Sequence, residues 1–160
     1  MSFRVGIGFD LHRLGPNTPL VLGGIIIPHH LGLIGHSDGD VLCHAITDAL
    51  LGAAGIGNIG ELFPDTDLAL KGMSSLRFLE KAVSLVRAKG YEIGNIDSNV
   101  LAEKPKLLPL FPAMKLELAA ALKIAPEKIQ VKAKTMEGIG IIGTEQAIAA
   151  EAVVLLIGNG

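Results

Sequence analysis

The sequence predicts an α/β domain of α+β character: one domain over residues 1–160, with a mixed four-stranded sheet, its helices on one face and the other face buried against a partner. Three observations carry that reading. Stretches of period two alternate along the chain with stretches of helical spacing, and no repeat, linker or low-complexity run divides them. The length of 160 residues is that of a single domain. Residues 147–157 are apolar on both sides apart from Glu151, as in a strand covered on both faces.

In chain order, Phe3, Val5, Ile7, Phe9 and Leu11 alternate with Arg4, Gly6, Gly8, Asp10 and His12, which predicts a strand carrying Asp10 and His12 on one face. Residues 20–22 and 25–27 flank Gly23-Gly24 and end at Pro28, the pattern of a short hairpin. Ser37 followed by Asp40 resembles a capping box and predicts a helix to about Ala54. Its apolar stripe is Leu42, Ala45, Ile46, Ala49, Leu50 and Ala53, opposite Asp40, His44, Thr47 and Asp48. Residues 55–72 are rich in Gly, Asn, Pro and Asp and too long for a bare connection, which marks a functional loop. Ser74 or Ser75 is expected to cap a second helix, with Leu76, Leu79, Val83 and Val86 on one side and Gly90 as its stop. A strand over 91–102, a helix from about Pro109 to Leu122, a strand from Ile129 and the final strand at 147–157 complete the order.

Composition narrows function before any motif is read. Fourteen Lys and Arg against 16 Asp and Glu, with one Tyr and no Trp, give neither the charge nor the stacking rings of a nucleic-acid binder. The single cysteine, Cys43, closes no disulfide within the chain and reads as a small buried hydrophobe, in keeping with a reducing compartment. Residues 1–12 hold no apolar signal stretch and nothing reaches the length of a membrane span. The expectation is a cytoplasmic protein, or one of a plastid-type organelle if the chain is a processed form, without membrane or nucleic-acid partners. Hydrophobic residues make up 49% and the 20 glycines raise the apolar share to about 61%, above the usual 45–50%. A domain of this size leaves about 30% of its extended surface exposed, so the excess predicts an obligate oligomer.

Several motifs bear on chemistry. Gly35-His36-Ser37-Asp38-Gly39 has the letters of a nucleophile elbow, but no histidine follows His44, and that fold places its triad histidine last. Ser37 therefore reads as a helix cap. Gly6-Ile7-Gly8 lies inside a strand and lacks the third glycine of a dinucleotide fingerprint. Asp10 and His12 project in parallel from their strand, and His44 on the following helix can supply a third ligand, with Asp48 one turn on to orient its ring. Three protein ligands with an open fourth position describe a catalytic zinc; the competing reading is a solvated His44. His29 and His30 read as surface imidazoles. Phe63-Pro64-Asp65-Thr66-Asp67 offers acids and a hydroxyl to a polyol or a metal, though a plain turn looks similar. Lys104, Lys106, Lys132 and Lys134 offer cations for phosphate, although solvated lysines of strand and loop are the stronger reading of each pair taken singly, and Glu137 stands at a strand end, where a lone acid is common.

Together, Gly8-Phe9-Asp10-x-His12, His36-Ser37-Asp38-Gly39-Asp40, Phe63-Pro64-Asp65-Thr66-Asp67 and Lys132-Ala133-Lys134-Thr135-x-Glu137 resemble the 2-C-methyl-D-erythritol 2,4-cyclodiphosphate synthase family of the non-mevalonate isoprenoid pathway. The resemblance covers nearly the whole chain. It implies a CMP-releasing phosphorus-oxygen lyase acting on a cytidine-diphosphate-linked substrate, and a homotrimer with sites between subunits. It further implies zinc on Asp10, His12 and His44, with Mg²⁺ or Mn²⁺ on Glu137. His36 and Thr135 take the positions of transition-state stabilisers. Asp10, His12, His36, Ser37, the Asn58-Ile59-Gly60 turn and Phe63, Pro64, Asp65, Thr66 and Asp67 correspond to the surroundings of the methylerythritol phosphate. Ala102, Glu103, Lys104, Pro105, Lys106, Leu107 and Leu108 would enclose cytidine, with Lys134 and Thr135 near its phosphates and Met136 and Glu137 completing the substrate contacts.

Three departures stand out. Asn58 replaces an aspartate of many relatives, and its amide still bonds hydroxyls. Ile141 and Thr144 replace a phenylalanine and an arginine found in several bacterial relatives, so any ligand those two residues hold is expected to bind weakly here. The alternatives are a zinc-dependent hydrolase of a phosphorylated small molecule, told apart by its ring-opened product, and a metal-stabilised trimeric binding module without turnover.

Overall fold

The structure is a computed structural model that describes residues 1–158. Its strands are β1 (Ser2–Gly15), β2 (Leu20–Leu22), β3 (Ile25–Ile27), β4 (Gly32–Ile34), β5 (Tyr91–Leu101), β6 (Ile129–Lys134) and β7 (Ala147–Gly158). Its helices are α1 (Val41–Ala54), α2 (Ile59–Leu62), α3 (Leu76–Ala88), α4 (Phe111–Leu122) and α5 (Gly140–Gly143). The main sheet is ordered β4-β1-β7-β5-β6, and among the described residues only the β5–β6 pair is parallel. It is mixed, as expected, but five-stranded. The added edge strand β4 pairs with residues 13–15 of β1, and its three residues are too few to show a period in sequence. The loop expected at 55–72 contains α2 and a 3₁₀ turn at Leu68–Leu70.

β2 and β3 form the expected ribbon, turned at Gly23 (φ 57°) and Gly24 (φ 79°), the two left-handed positions of a primed hairpin turn. The N–H groups of both glycines donate to the buried Asp40 carboxylate, at 3.0 and 2.8 Å. That carboxylate also accepts from the N–H of Leu42 and Cys43, at 3.1 and 3.0 Å. Asp40 is thus the N-cap of α1 and ties the hairpin to it; Ser37, expected in that role, is not. Burial and the facing Asp40 push the Cys43 thiol well up, so it is an unreactive hydrophobe donating to Asp40.

How α1 lies on the sheet follows from two glycines. A Cβ on Gly8 would collide with the backbone of Ala45 and Ala49, and one on Gly6 with Ala49 and Ala53. Two residues of strand advance about 6.7 Å and one helical turn about 5.4 Å, so the two elements keep step in opposite directions. The next member of the strand series is Asp10, and the helical residue it meets is His44. The side of α1 opposite its apolar stripe is also covered, with His44 and Thr47 both buried. α3 packs on α1 and α4 on α3, giving one helical layer over one face of the sheet.

The other face of β1 is bare. Phe3, Val5, Ile7 and Phe9 are 62%, 70%, 67% and 56% exposed, and Val153 of β7 adds to the patch. The apolar residues of the alternating stretch lie on the face away from the helices, and the glycines lie toward them. Among the described residues no helix is long and apolar enough to cross a membrane.

Candidate metal centre and the cavities beside it

Asp10 and His12 leave the C-terminal half of β1 side by side, and α1 delivers His44 to them. Asp10 Oδ2 lies 2.9 Å from His12 Nε2 and 2.8 Å from His44 Nδ1. One donor atom from each residue falls within 4.8 Å of the others. The remaining ring nitrogens fix the tautomers. His12 Nδ1 sits 2.8 Å from the Ile34 carbonyl, which can only accept, so Nδ1 carries the proton and Nε2 is left as a lone pair. His44 Nε2 lies 2.8 Å from Ser75 Oγ. The Ser75 hydroxyl gives its own proton to Asp38 Oδ1, so its oxygen accepts from His44 Nε2–H and leaves Nδ1 as a lone pair. Two lone pairs and a carboxylate then converge on one point, and either extra protons or a cation must lie between them. The donor set fits zinc.

Without an ion, protons take that place. Burial opposes ionisation of Asp10, yet the hydrogen bonds and charge of His12 and His44 outweigh it and hold its carboxyl well below the usual range. The hydrogen bond to Asp10 raises His12 above its usual value against the effect of burial.

The group that orients His44 is not the one expected. Asp48 Oδ1 accepts from the N–H of Ile59 at 2.7 Å, and so caps α2 instead of reaching the ring. Its place is taken by Ser75, which is fully buried and makes no cap bond to α3. Asp38 Oδ2 accepts the Ser75 N–H at 2.9 Å, and Ser37 Oγ lies 3.1 Å from His44 Nε2. The serine ahead of a helix signals a cap in sequence; a partner 31 residues away leaves no local trace.

A cavity of about 440 Å³ opens beside the cluster. It gathers Asp10, His12, His36, Ser37, His44, Ile59, Gly60, Phe63, Pro64, Asp65 and Thr66 from the sequence-based set, and adds Asp48, Leu70 and Phe78. The outer wall is pinned by His36 Nε2 donating to the Asp67 carbonyl at 3.0 Å and by Phe63 stacked on Phe78 at 4.5 Å. Asn58 and Asp67 do not line it. Their side chains cap α2 and the 3₁₀ turn at 68–70, accepting from Glu61 N–H and Ala69 N–H.

Residues 102–108 line a separate cavity of about 290 Å³ together with Ala133, Lys134 and Thr135. Its loops are held by Met136 N–H donating to Glu103 at 3.1 Å and by Thr135 Oγ1 donating to Glu137 at 2.9 Å. Met136 and Glu137 line neither cavity. One chain therefore carries the metal ligands and the lysine-bearing loop as two distinct hollows.

An open His/His/Asp cluster at the end of a mixed sheet, with a cavity beside it that has a largely apolar wall and a few convergent polar groups, is the arrangement of an enzyme domain with a metal-binding site. The profile of the YgbB family matches residues 3–157, and the chain belongs to that family. The 2-C-methyl-D-erythritol 2,4-cyclodiphosphate synthase of Clostridium kluyveri is 54% identical over 156 residues, 98% of this chain and 95% of its own length. Among solved structures, the bifunctional IspDF of Campylobacter jejuni superposes with TM-score 0.95 at 45% identity, covering 99% of this chain and 43% of that one. The CDP complex of IspF from Plasmodium falciparum superposes with TM-score 0.87 at 37% identity, covering 99% and 98%.

Proposed function

We propose that the two hollows are half-sites that meet across the subunits of a homotrimer, the metal cavity of one chain facing the 102–108 loop of the next. The reaction is that of the family's synthases: 4-diphosphocytidyl-2-C-methyl-D-erythritol 2-phosphate is converted to 2-C-methyl-D-erythritol 2,4-cyclodiphosphate and CMP, on the non-mevalonate route to isoprenoids. The chain is a phosphorus-oxygen lyase. An oxygen of the substrate's 2-phosphate forms a bond to the β-phosphorus, the bond from that phosphorus to the α-phosphate oxygen breaks, and CMP leaves with the electron pair.

No side chain needs to bond covalently to the substrate, so the protein's task is to fold a flexible substrate and offset its charge. Zinc at Asp10, His12 and His44, and Mg²⁺ or Mn²⁺ at Glu137, supply Lewis-acid charge to the diphosphate when bound. Ser37, Ile59, Gly60 and residues 63–66 hold the methylerythritol phosphate in the metal cavity, while Asn58 and Asp67 shape its rim through the caps they form on α2 and the 3₁₀ turn. His36, fixed on the Asp67 carbonyl, and Thr135, beside Lys134, steady the charge that develops as CMP departs. The 102–108 loop encloses the cytosine ring, and CDP in the Plasmodium relative is a ligand of that chemistry. The trimer reading also accounts for the bare apolar face of β1, since a second copy covers what the helices leave open. Residues 1–160 act as one synthase domain.

The separation of the metal cavity from the lysine loop within one chain carries this reading. A phosphorus NMR time course with the named substrate tests it. Cyclic diphosphate and CMP appearing together is the expected result; a ring-opened phosphate or no turnover overturns it.

A further inference from the structure

A second group of metal-ligating side chains lies away from the cluster on β1 and α1. His29 and His30, on the connection between β3 and β4, meet Glu145, two residues before the start of β7, with one donor atom from each within 4.8 Å of the others. The two rings are 4.5 Å apart between centroids and inclined by 58°, so they approach one point from different directions. His29 Nε2 is closed to solvent and makes no hydrogen bond, which is costly for a buried ring nitrogen and would be relieved by coordination. We propose that His29, His30 and Glu145 form a second transition-metal site that takes a borderline divalent cation such as Zn²⁺, Co²⁺ or Ni²⁺.

The donor set selects the class of ion. Two imidazoles and one carboxylate suit zinc, cobalt and nickel, whereas magnesium and calcium prefer oxygen alone. Metal binding needs a neutral imidazole, and burial with the neighbouring His30 ring lowers His29 despite the nearby Glu145. The segments joined are distant in sequence and meet at one end of the sheet, so an ion here staples the β3–β4 connection to the start of β7. One feature competes. Lys104 Nζ lies 3.0 Å from Glu145 Oε1, and an ion on the same carboxylate repels that ammonium. Lys104 also lines the 102–108 cavity, so occupancy of the second site shifts a positive charge on that wall.

The test is equilibrium dialysis of metal-stripped full-length protein against Co²⁺ in excess Mg²⁺, with bound cobalt counted per chain. The natural chain is expected to hold two Co²⁺, and His12→Ala one. His29→Ala and His30→Ala should also hold one each, with the cluster on β1 and α1 still filled. Lys104→Ala should tighten the second site, a response that a merely structural pair of histidines would not give. Equal cobalt counts in the natural chain and both histidine variants would overturn the proposal, as would an unchanged cobalt affinity in Lys104→Ala.

Discussion

The two hollows of the chain are built by opposite means. Around the metal cluster every polar group is fixed by a neighbour: Asp10 by two rings, His12 by the Ile34 carbonyl, His44 by Ser75, and Ser75 by Asp38. Burial stiffens the set, because α1 rests directly on the glycines of β1. At the 102–108 loop the Lys104 ammonium is exposed and held by a pair with Glu145. Exposed pairs of this kind contribute about 0–1 kcal/mol each and exchange partners readily. The first half is organised within this chain, and under the proposed trimer reading the second is completed by the nucleotide and the neighbouring subunit.

The largest effects should separate the halves by what is lost. His12→Ala and His44→Ala each remove a ligand, and both are expected to abolish bound zinc and turnover together. Glu137→Gln keeps volume but weakens a hard-cation oxygen site, so turnover should collapse while zinc stays. Metal analysis beside rate measurement checks this, and loss of zinc in Glu137→Gln would erase the distinction. Next in size is complementation. Mixing inactive His12→Ala with an inactive Lys106→Ala chain lets intact halves meet in about a quarter of the sites of a random one-to-one trimer, if the halves lie on different subunits. Activity after proven subunit exchange sharpens the comparison, and none would place both halves on one chain.

A smaller effect is expected from Ser75→Ala, which removes the acceptor that holds His44 in its tautomer and leaves the Asp38 carboxylate without a hydroxyl donor. Zinc affinity should fall by about 10–100-fold, measured by chelator competition, with the fold retained by circular dichroism. Asp48→Asn should leave zinc affinity unchanged, because Asp48 serves α2 and not the ring.

These variants follow the line between what the sequence discloses and what it hides. The convergence of Asp10, His12 and His44 was legible only in part: spacing put Asp10 and His12 on one strand face and His44 on the following helix, but left a solvated His44 open, and the resemblance to a family chose between the two. The choice between Ser37 and Asp40 as cap was not legible, since both residue types cap helices and only the hairpin's N–H groups, 16 and 17 residues away, recruit Asp40. Ser75 and β4 were missed for the same reason: their partners are distant or their length is too short to carry a period. The alternation of β1 gave a strand without saying which side faces the helices. Gly6 and Gly8 decide that through close approach, and hydrophobicity alone points the other way. For the 102–108 hollow the residues alone offered lysines near a strand end, and only the resemblance to a family marked them as a nucleotide loop.

The smallest expected effect is a difference in pH response between the metal-free and zinc-loaded chain. In the metal-free chain His12 is raised above its usual value of 6.5 by its bond to Asp10, and Asp10 is lowered below its usual value of 3.8. A raised histidine adds stability that is fully present below 6.5 and is lost as pH rises through its folded value. A lowered carboxyl adds stability that is present above 3.8 and is lost as pH falls through its folded value. The metal-free chain should therefore gain from this cluster between those limits and lose part of the gain on going to pH 8. With zinc the sign on the alkaline side reverses, because the ion requires both rings neutral and binds more tightly as protons leave. Thermal midpoints from pH 5 to pH 8.5, with and without chelator, read the two trends directly. Parallel curves would mean that the proton on His12 does not compete with the metal.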